Sequence, residues 1–257
     1  MPMTPHNPLF RVQLAQTPED LMAAQRLRYE VFVEELGGDG EMVDHVARLE
    51  RDRFDPFFDH LLLVDDAKGG ELIGVYRVLR DDQAARAGQF YSEDEYDLTA
   101  LQSSGRRLME LGRSCLARPY RGGRGMYHLW NALARYVAEH RIEILFGVAS
   151  FHGTDVEKLA QPLSLLHHRH LAPSDMRVRA RRDHYQRMDL IEESRLDRPA
   201  AMLQVPALIK AYLRLGGYVG DGAYLDHAFN TTDVCLILDT ANLTKAQKAI
   251  YTRDVGA

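Results

Sequence analysis

Phe10–Leu14 alternates apolar and polar side chains and predicts a short strand. Thr17 follows as a helix N-cap. Pro18 takes the first helical position, and Glu19 and Asp20 put negative charge at the positive end of the helix dipole. Leu21, Ala24, Leu27 and Val31 share one face and carry the helix to about Glu35, where Gly37 and Gly38 end it. Asp39–Asp59 loses that period, gathers seven acidic residues and reads as a loop too long for a mere connection. His60–Asp65 and Glu71–Arg80 are apolar strand segments, joined by a turn over Asp66–Gly70. Leu108–Leu116 is a third strand, and Pro119–Gly125 is a Gly/Arg loop. Met126–His140 is a helix with Leu129, Leu133, Tyr136 and Val137 on one face, and Ile144–Ala149 is a buried strand. Strand, loop, helix and strand make a βαβ unit in a chain whose earlier strands form a hairpin. The predicted class is therefore α/β (α+β), a central mixed sheet flanked by helices. Beyond it the pattern predicts a helix over Pro162–His170, a strand over Tyr185–Leu190 and one amphipathic helix over Pro199–Leu215. A strand over Val234–Leu238 and a last short helix capped by Asn242 close the chain.

Composition narrows the function classes. Of 257 residues 46% are hydrophobic and 27% charged, which excludes disorder over most of the chain. No long linker or repeat divides it, so we expect one enlarged domain, with a core over about residues 10–190 and an extension over about 191–257. A net charge of −5 argues against nucleic acid as partner. Arginine supplies 27 of the 32 basic residues, a bias suited to carboxylate and phosphate recognition. Cys115 and Cys235 are too few for a disulfide scaffold, and both sit in apolar runs as buried thiols. No apolar run approaches the ~18 residues of a membrane span. Met1–Leu9 carries three prolines and no signal-like apolar stretch, so the expected location is the cytoplasm.

The segment richest in chemistry is Leu108-Met109-Glu110-Leu111-Gly112-Arg113-Ser114-Cys115-Leu116 with the loop Arg118–Gly125 after it. A glycine-rich turn at a helix N-terminus offers amide N–H groups and a positive dipole end to an anion, such as a diphosphate or a phosphopantetheine phosphate. It equally fits a tight strand-to-helix connection. Glu110 amid Leu108, Met109 and Leu111 is costly to bury without a task; the plainer reading is an ion pair with Arg106 or Arg107. Gly112 marks a bulge that would re-aim one of the neighbouring side chains.

These blocks resemble the GCN5-related N-acyltransferase fold, and within it the bacterial L-ornithine Nα-acyltransferases. The resemblance runs through nearly the whole chain, from Arg28-Tyr-Glu-Val-Phe32 and Asp52-Arg-Phe-Asp55 with Asp59-His60 to Phe90-Tyr-Ser-Glu93. It continues through Glu110–Cys115, Phe146–Phe151, Gly153-Thr-Asp155, Pro162–His168, Leu208–Leu213 and Gly220-Asp-Gly222. Arg28, Phe32, Asp52, Asp55, Arg77, Glu110 and Arg113 are also similar to the signature of acyl-homoserine lactone synthases. One departure stands out: the wider fold's coenzyme loop, Arg/Gln-x-x-Gly-x-Gly/Ala, fits neither frame, since Arg121 puts Arg124 and Met126 on the small-residue positions and Tyr120 loses the leading Arg/Gln.

The resemblance implies transfer of a 3-hydroxy fatty acyl group from acyl carrier protein to the α-amine of L-ornithine, the first step of ornithine lipid synthesis. Alternatives are the same reaction on glutamine or another amino acid, an acyl-homoserine lactone synthase-like enzyme, and a lipid- or carrier-binding module without turnover. No permanent cofactor or metal is implied; the donor is the carrier's acyl-phosphopantetheine. Glu110 is implied as base and Arg113 and Ser150 as further catalytic candidates. Cys115, Leu116, Arg121, Gly122, Gly123, Arg124 and Gly125 are implied for the donor, with a backbone N–H near Ser114–Leu116 for the oxyanion. Arg28, Arg77 and Arg113 either hold the acceptor carboxylate bidentately or serve the acidic segment structurally. Phe32 is a further substrate candidate. Asp55 or Asp59 either meets the δ-ammonium of ornithine or caps the loop.

Arg118, Arg121 and Arg124, with Arg135 and Arg141, and a second cluster at Arg177, Arg179, Arg181, Arg182 and Arg187, would attract an acidic carrier protein or are solvated faces. The Pro199–Leu215 helix either packs on the sheet or contacts the inner membrane peripherally. His167-His168-Arg169-His170 lacks metal-ligand spacing, and Ser150, His152 and Asp155 lack a nucleophile elbow.

Overall fold

The computed structural model describes residues 7–244 and Gln247. In chain order the elements are β1 (Phe10–Leu14), α1 (Pro18–Arg28), β2 (Asp59–Asp65), β3 (Glu71–Arg80), α2 (Asp81–Ala87), β4 (Tyr96–Asp97), α3 (Thr99–Gln102), β5 (Leu108–Leu116) and α4 (Gly125–Glu139). They continue as β6 (Ile144–His152), α5 (Ala160–His170), β7 (Arg179–Ala180), β8 (Tyr185–Gln186), α6 (Arg198–Gln204), α7 (Ala207–Arg214), β9 (Tyr218–Val219), β10 (Ala223–Asp226) and β11 (Thr231–Asp239). The described residues fall into two compact units. Those up to Val78 with Gly112–His140 form one, and Leu79–Leu111 with Arg141–Gln247 form the other.

In the first unit β1, β2 and β3 form an antiparallel sheet, and the second half of β5 lies beside β3. The α1 cap is the expected one, made reciprocal: Thr17 accepts from the Asp20 amide while the Asp20 carboxylate accepts from Thr17. Ala24, Leu27 and Val31 pack on Leu62, Val75 and Cys115. After Arg28 the helix widens into a π-helical segment over Tyr29–Glu35, and the amides of Gly37 and Gly38 close it on Val33 and Phe32. Helix α4 lies on β1 and β2. Glycine at 74 makes room there, since a Cβ would fall 2.6 Å from Leu116 Cδ2 and 3.3 Å from Leu129 Cδ1.

In the second unit β6 and β11 pair antiparallel along their full lengths, and β10, β8 and β9 extend the sheet from β11. The first half of β5 runs parallel to β6 over Leu108–Glu110 opposite Ile144–Phe146, with α4 in the intervening chain, as the βαβ pattern predicts. Just past that pairing the backbones leave room only for glycine at 147, where a Cβ would lie 2.2 Å from the Leu111 carbonyl oxygen.

Two expectations change. Tyr185–Leu190 is a strand only at Tyr185–Gln186; the chain then turns, and the buried Ser164 hydroxyl takes the amides of Leu190 and Ile191. Pro199–Leu215 is two helices, because Pro206 has no N–H and forces Val205 into an extended conformation. Their apolar face, Ala201, Ile209, Tyr212 and Leu215, is buried within the unit, and Leu203 alone of the large apolar residues in these helices is prominently exposed. Among the described residues no helix is long and apolar enough to cross a membrane. The helix expected after Asn242 lies outside the described residues.

Candidate functional site

The acidic loop of the first unit is organised around three arginines. Arg28, at the end of α1, is fully enclosed; its guanidinium donates to Glu50 and to both oxygens of Asp55, at 2.6 and 3.2 Å. Arg77, on β3 and also enclosed, donates to Asp52 at 2.6 and 3.0 Å and to Asp55 at 2.7 Å. Arg113, on β5, donates to Glu50 at 3.1 Å and lies 3.6 Å from Asp52. Arg113 has φ +49°, the left-handed region, so the backbone irregularity expected at Gly112 falls one residue later and aims this side chain into the network. The Gly112 Cα faces the Arg77 side chain, where a Cβ would lie 3.5 Å from Nε. The Arg113 guanidinium also stands 6.0 Å from the centre of the half-buried Phe32 ring.

Burial raises the carboxylates, but the arginines outweigh it and hold Glu50, Asp52 and Asp55 below the ordinary range. Burial works against the Arg28 charge, and Glu50 and Asp55 overcome it. Three cations face three anions, so the charges are matched in place. Arg28 and Arg77 thus both engage Asp55 within the acidic segment. Beneath them His60 Nε2–H donates to the Asp55 carbonyl at 3.1 Å while Nδ1 is buried without a hydrogen bond. Burial pushes His60 down to about 4. Asp59 accepts instead from the Tyr136 hydroxyl of α4.

The Gly/Arg loop runs from β5 to α4 in the same unit. Arg121 Nε donates to the Leu116 carbonyl at 2.9 Å, and its guanidinium pairs with Glu35 at 2.7 Å, so this arginine ties the loop to the end of the first helix. Gly122 has φ +75°. Gly125 starts α4 against Leu116 and Leu63, where a Cβ would already touch at 3.4 Å. Arg118 and Arg124 are exposed, and Arg124 occupies the N-cap without a side-chain cap bond. The first amides of a helix this long have no intrahelical acceptor, so the loop presents N–H groups and positive charge together. Cys115 and Leu116 are buried; burial pushes the Cys115 thiol up to about 12, which leaves it unreactive.

The second unit holds Glu110. It is 1% exposed, and its carboxylate accepts from the Tyr91 and Ser92 amides, both at 2.7 Å, and from the Ser92 hydroxyl. The turn Tyr91–Asp94 thus starts on this carboxylate, and Phe90 meets Phe146 edge-on at 5.0 Å beside it. Of the two arginines considered as its partners, Arg106 binds Asp239 at 2.6 and 2.8 Å, and the backbone amide of Arg107 donates to Glu143. The register sets Glu110 opposite Phe146 and Ser150 opposite Asp233, and strand alternation puts Phe146 and Ser150 on one sheet face. Ser150 is exposed, and Asp155 is held by Lys158 at 2.8 Å rather than by His152.

Sequence reasoning missed Tyr91 and Ser92 as partners of Glu110, although the Phe90–Glu93 block was the available signal. It also missed a carboxylate group, Glu95, Asp226 and Asp233, whose oxygens lie within 4.8 Å of one another. The histidines of α5 diverge, with His167 and His168 rings at 90° and His168 bound to the Ile191 carbonyl.

Comparison with known proteins gives the fold and the family. The acetyltransferase (GNAT) domain family matches residues 27–131. An N-acyl amino acid synthase from uncultured soil microbes, FeeM, superposes with a TM-score of 0.52 at 12% identity, over 94% of this chain and 98% of its own. The acyl-homoserine lactone synthase LasI does so with a TM-score of 0.51 at 18% identity, over 98% and 99%. These likenesses establish the fold, a GNAT-type mixed sheet flanked by helices. In sequence the chain is 57% identical to the L-ornithine N(alpha)-acyltransferase of Rhodobacter capsulatus over 96% of both chains. It is 42% identical to that of Brucella abortus over 94% of this chain and 88% of the relative. The chain therefore belongs to the L-ornithine Nα-acyltransferase family and is an N-acyltransferase.

Proposed function

We propose that this enzyme transfers a 3-hydroxy fatty acyl group from acyl carrier protein to the α-amine of L-ornithine, giving a lyso-ornithine lipid. The observation that carries the acceptor is the 57% identity, over 96% of both chains, to the Rhodobacter capsulatus enzyme of that name. The amine nitrogen attacks the thioester carbonyl, the C–N bond forms, the C–S bond breaks, and the thiolate takes up a proton as it departs. Before attack Glu110 takes one proton from the α-ammonium, directly or through one water, which frees the amine lone pair; the second proton that the nitrogen loses as the tetrahedral intermediate collapses goes to the departing thiolate. Three donors from the Tyr91–Ser92 turn fix the orientation of the Glu110 carboxylate. The loop Arg121–Gly125 at the start of α4 receives the phosphopantetheine phosphate. An acidic carrier would be drawn to the exposed Arg118 and Arg124. The misfit of the coenzyme loop favours a carrier-bound donor over free acetyl coenzyme A.

The test is purified protein with 3-hydroxyacyl carrier protein and either ornithine or glutamine, read by thiol release and product mass. Product with ornithine that is lost in Glu110→Gln supports the reading. Product with glutamine alone overturns the acceptor, and no thiol release with any amine returns the chain to a binding role.

A further inference from the structure

The turn that holds Glu110 is more than packing. A buried carboxylate can be neutralised by a cation or stabilised by dipoles. Here two consecutive amides, Tyr91 and Ser92 at 2.7 Å each, and one hydroxyl converge on the same carboxylate. The amides are fixed by the backbone. The hydroxyl is the only side-chain donor among these three, and Ser92 is itself fully enclosed, so its rotor is confined. Two of the three donors act on Oε1, which sets the plane of the carboxylate as well as its charge.

We propose that Ser92 is a positioning residue for acyl transfer: its hydroxyl, with the two amides, orients Glu110 and holds it in the form that can accept a proton. This rests on Glu110 as the proton acceptor. Ser92 touches neither substrate nor donor in this scheme and acts only through the carboxylate. Removing a donor from the charged form favours the protonated form, so the acid limb of the pH–rate profile moves to higher pH. A hydrogen bond to a charged group is strong enough to move that limb by about one pH unit, equivalent to about tenfold in rate on the limb. A packing role alone would lower activity or stability evenly across pH.

The experiment compares Ser92→Ala, Ser92→Thr and Glu110→Gln with the parent, using kcat/KM for the amine from pH 4 to 9.5, where the limb of the free amine is common to all four proteins, and the thermal midpoint of each protein. Expected are a limb displaced upward by about one unit in S92A, with recovery at alkaline pH, and restoration of the parental limb in S92T. If the threonine methyl is not accommodated, Ser92→Cys supplies a weaker donor of similar size, and its limb falls between those of Ser and Ala. An unmoved limb in S92A, with turnover abolished in E110Q, overturns the positioning role and leaves the base assignment standing. Full turnover in E110Q overturns the base assignment, and the role of Ser92 falls with it.

Discussion

His60 makes the burial of charge in the first unit measurable. Its Nε2–H is spent on the Asp55 carbonyl, and Nδ1 is buried with no hydrogen bond, so protonation would place a new N–H where nothing receives it. Burial pushes the imidazole from 6.5 down to about 4; the Arg28 and Arg77 charges push the same way, and Asp55 only partly opposes them. The folded state therefore binds fewer protons than the unfolded state between those two values. The stability from keeping His60 neutral is present above about pH 6.5 and is lost as pH falls toward 4. At about 1.4 kcal/mol per pH unit, going from pH 7 to pH 5 costs about 2 kcal/mol from this residue alone. Glu50, Asp52 and Asp55 are held below the ordinary carboxylate range, so their loss falls at lower pH and leaves this window clear. The perturbation is His60→Gln, whose amide can keep a donor on the Asp55 carbonyl. Urea unfolding at pH 7, 6 and 5 reads the result. The parent should lose about 2 kcal/mol more than the variant across that range, whatever their offset at pH 7. Parallel pH dependences would refute the claim that His60 is held neutral.

Gly147→Ala should be among the most damaging single-methyl changes in the second unit. The new Cβ would sit 2.2 Å from the Leu111 carbonyl oxygen, and backbone cannot swing aside as a side chain can, so a loss of about 1–3 kcal/mol or more is expected in thermal or urea unfolding. Arg118→Glu with Arg124→Glu should raise KM for the acyl carrier protein severalfold at low salt and much less at high salt; a salt-independent or unchanged KM contradicts carrier docking there. These two are better probes than Arg121, whose guanidinium already pairs with Glu35 and whose reversal would disturb the fold as well.

Local signals were readable where the residue types themselves make the structure. The Thr17–Asp20 cap, the glycine stop after Glu35, the hairpin at Asp66–Gly70 and the parallel β5–β6 pair all follow from capping, turn chemistry and period. The break at Pro206 was legible too, and the long amphipathic period across it obscured the signal. What the pattern did not carry was partnership. Alternation reports that Glu110 is buried, and it is silent on whether Arg106, Arg107 or a turn 18 residues earlier answers its charge. Likewise Arg28, Glu50, Asp55, Arg77 and Arg113 are spread over more than 80 residues, and only the folded loop shows them answering one another. The carboxylates Asp226 and Asp233 are brought near by the pairing of β10 with β11, and Glu95, far from both in sequence, meets them only in the fold.

The most direct test of the central claim is a side-by-side acyl-transfer assay. The protein is given 3-hydroxyacyl carrier protein with ornithine, glutamine or no amine, and the N-acylated product is identified by mass. Thiol release that requires ornithine, with the acyl group on its α-nitrogen and turnover lost in Glu110→Gln, is the predicted result. Release that proceeds equally without an amine, or acylation of glutamine and not ornithine, would contradict it.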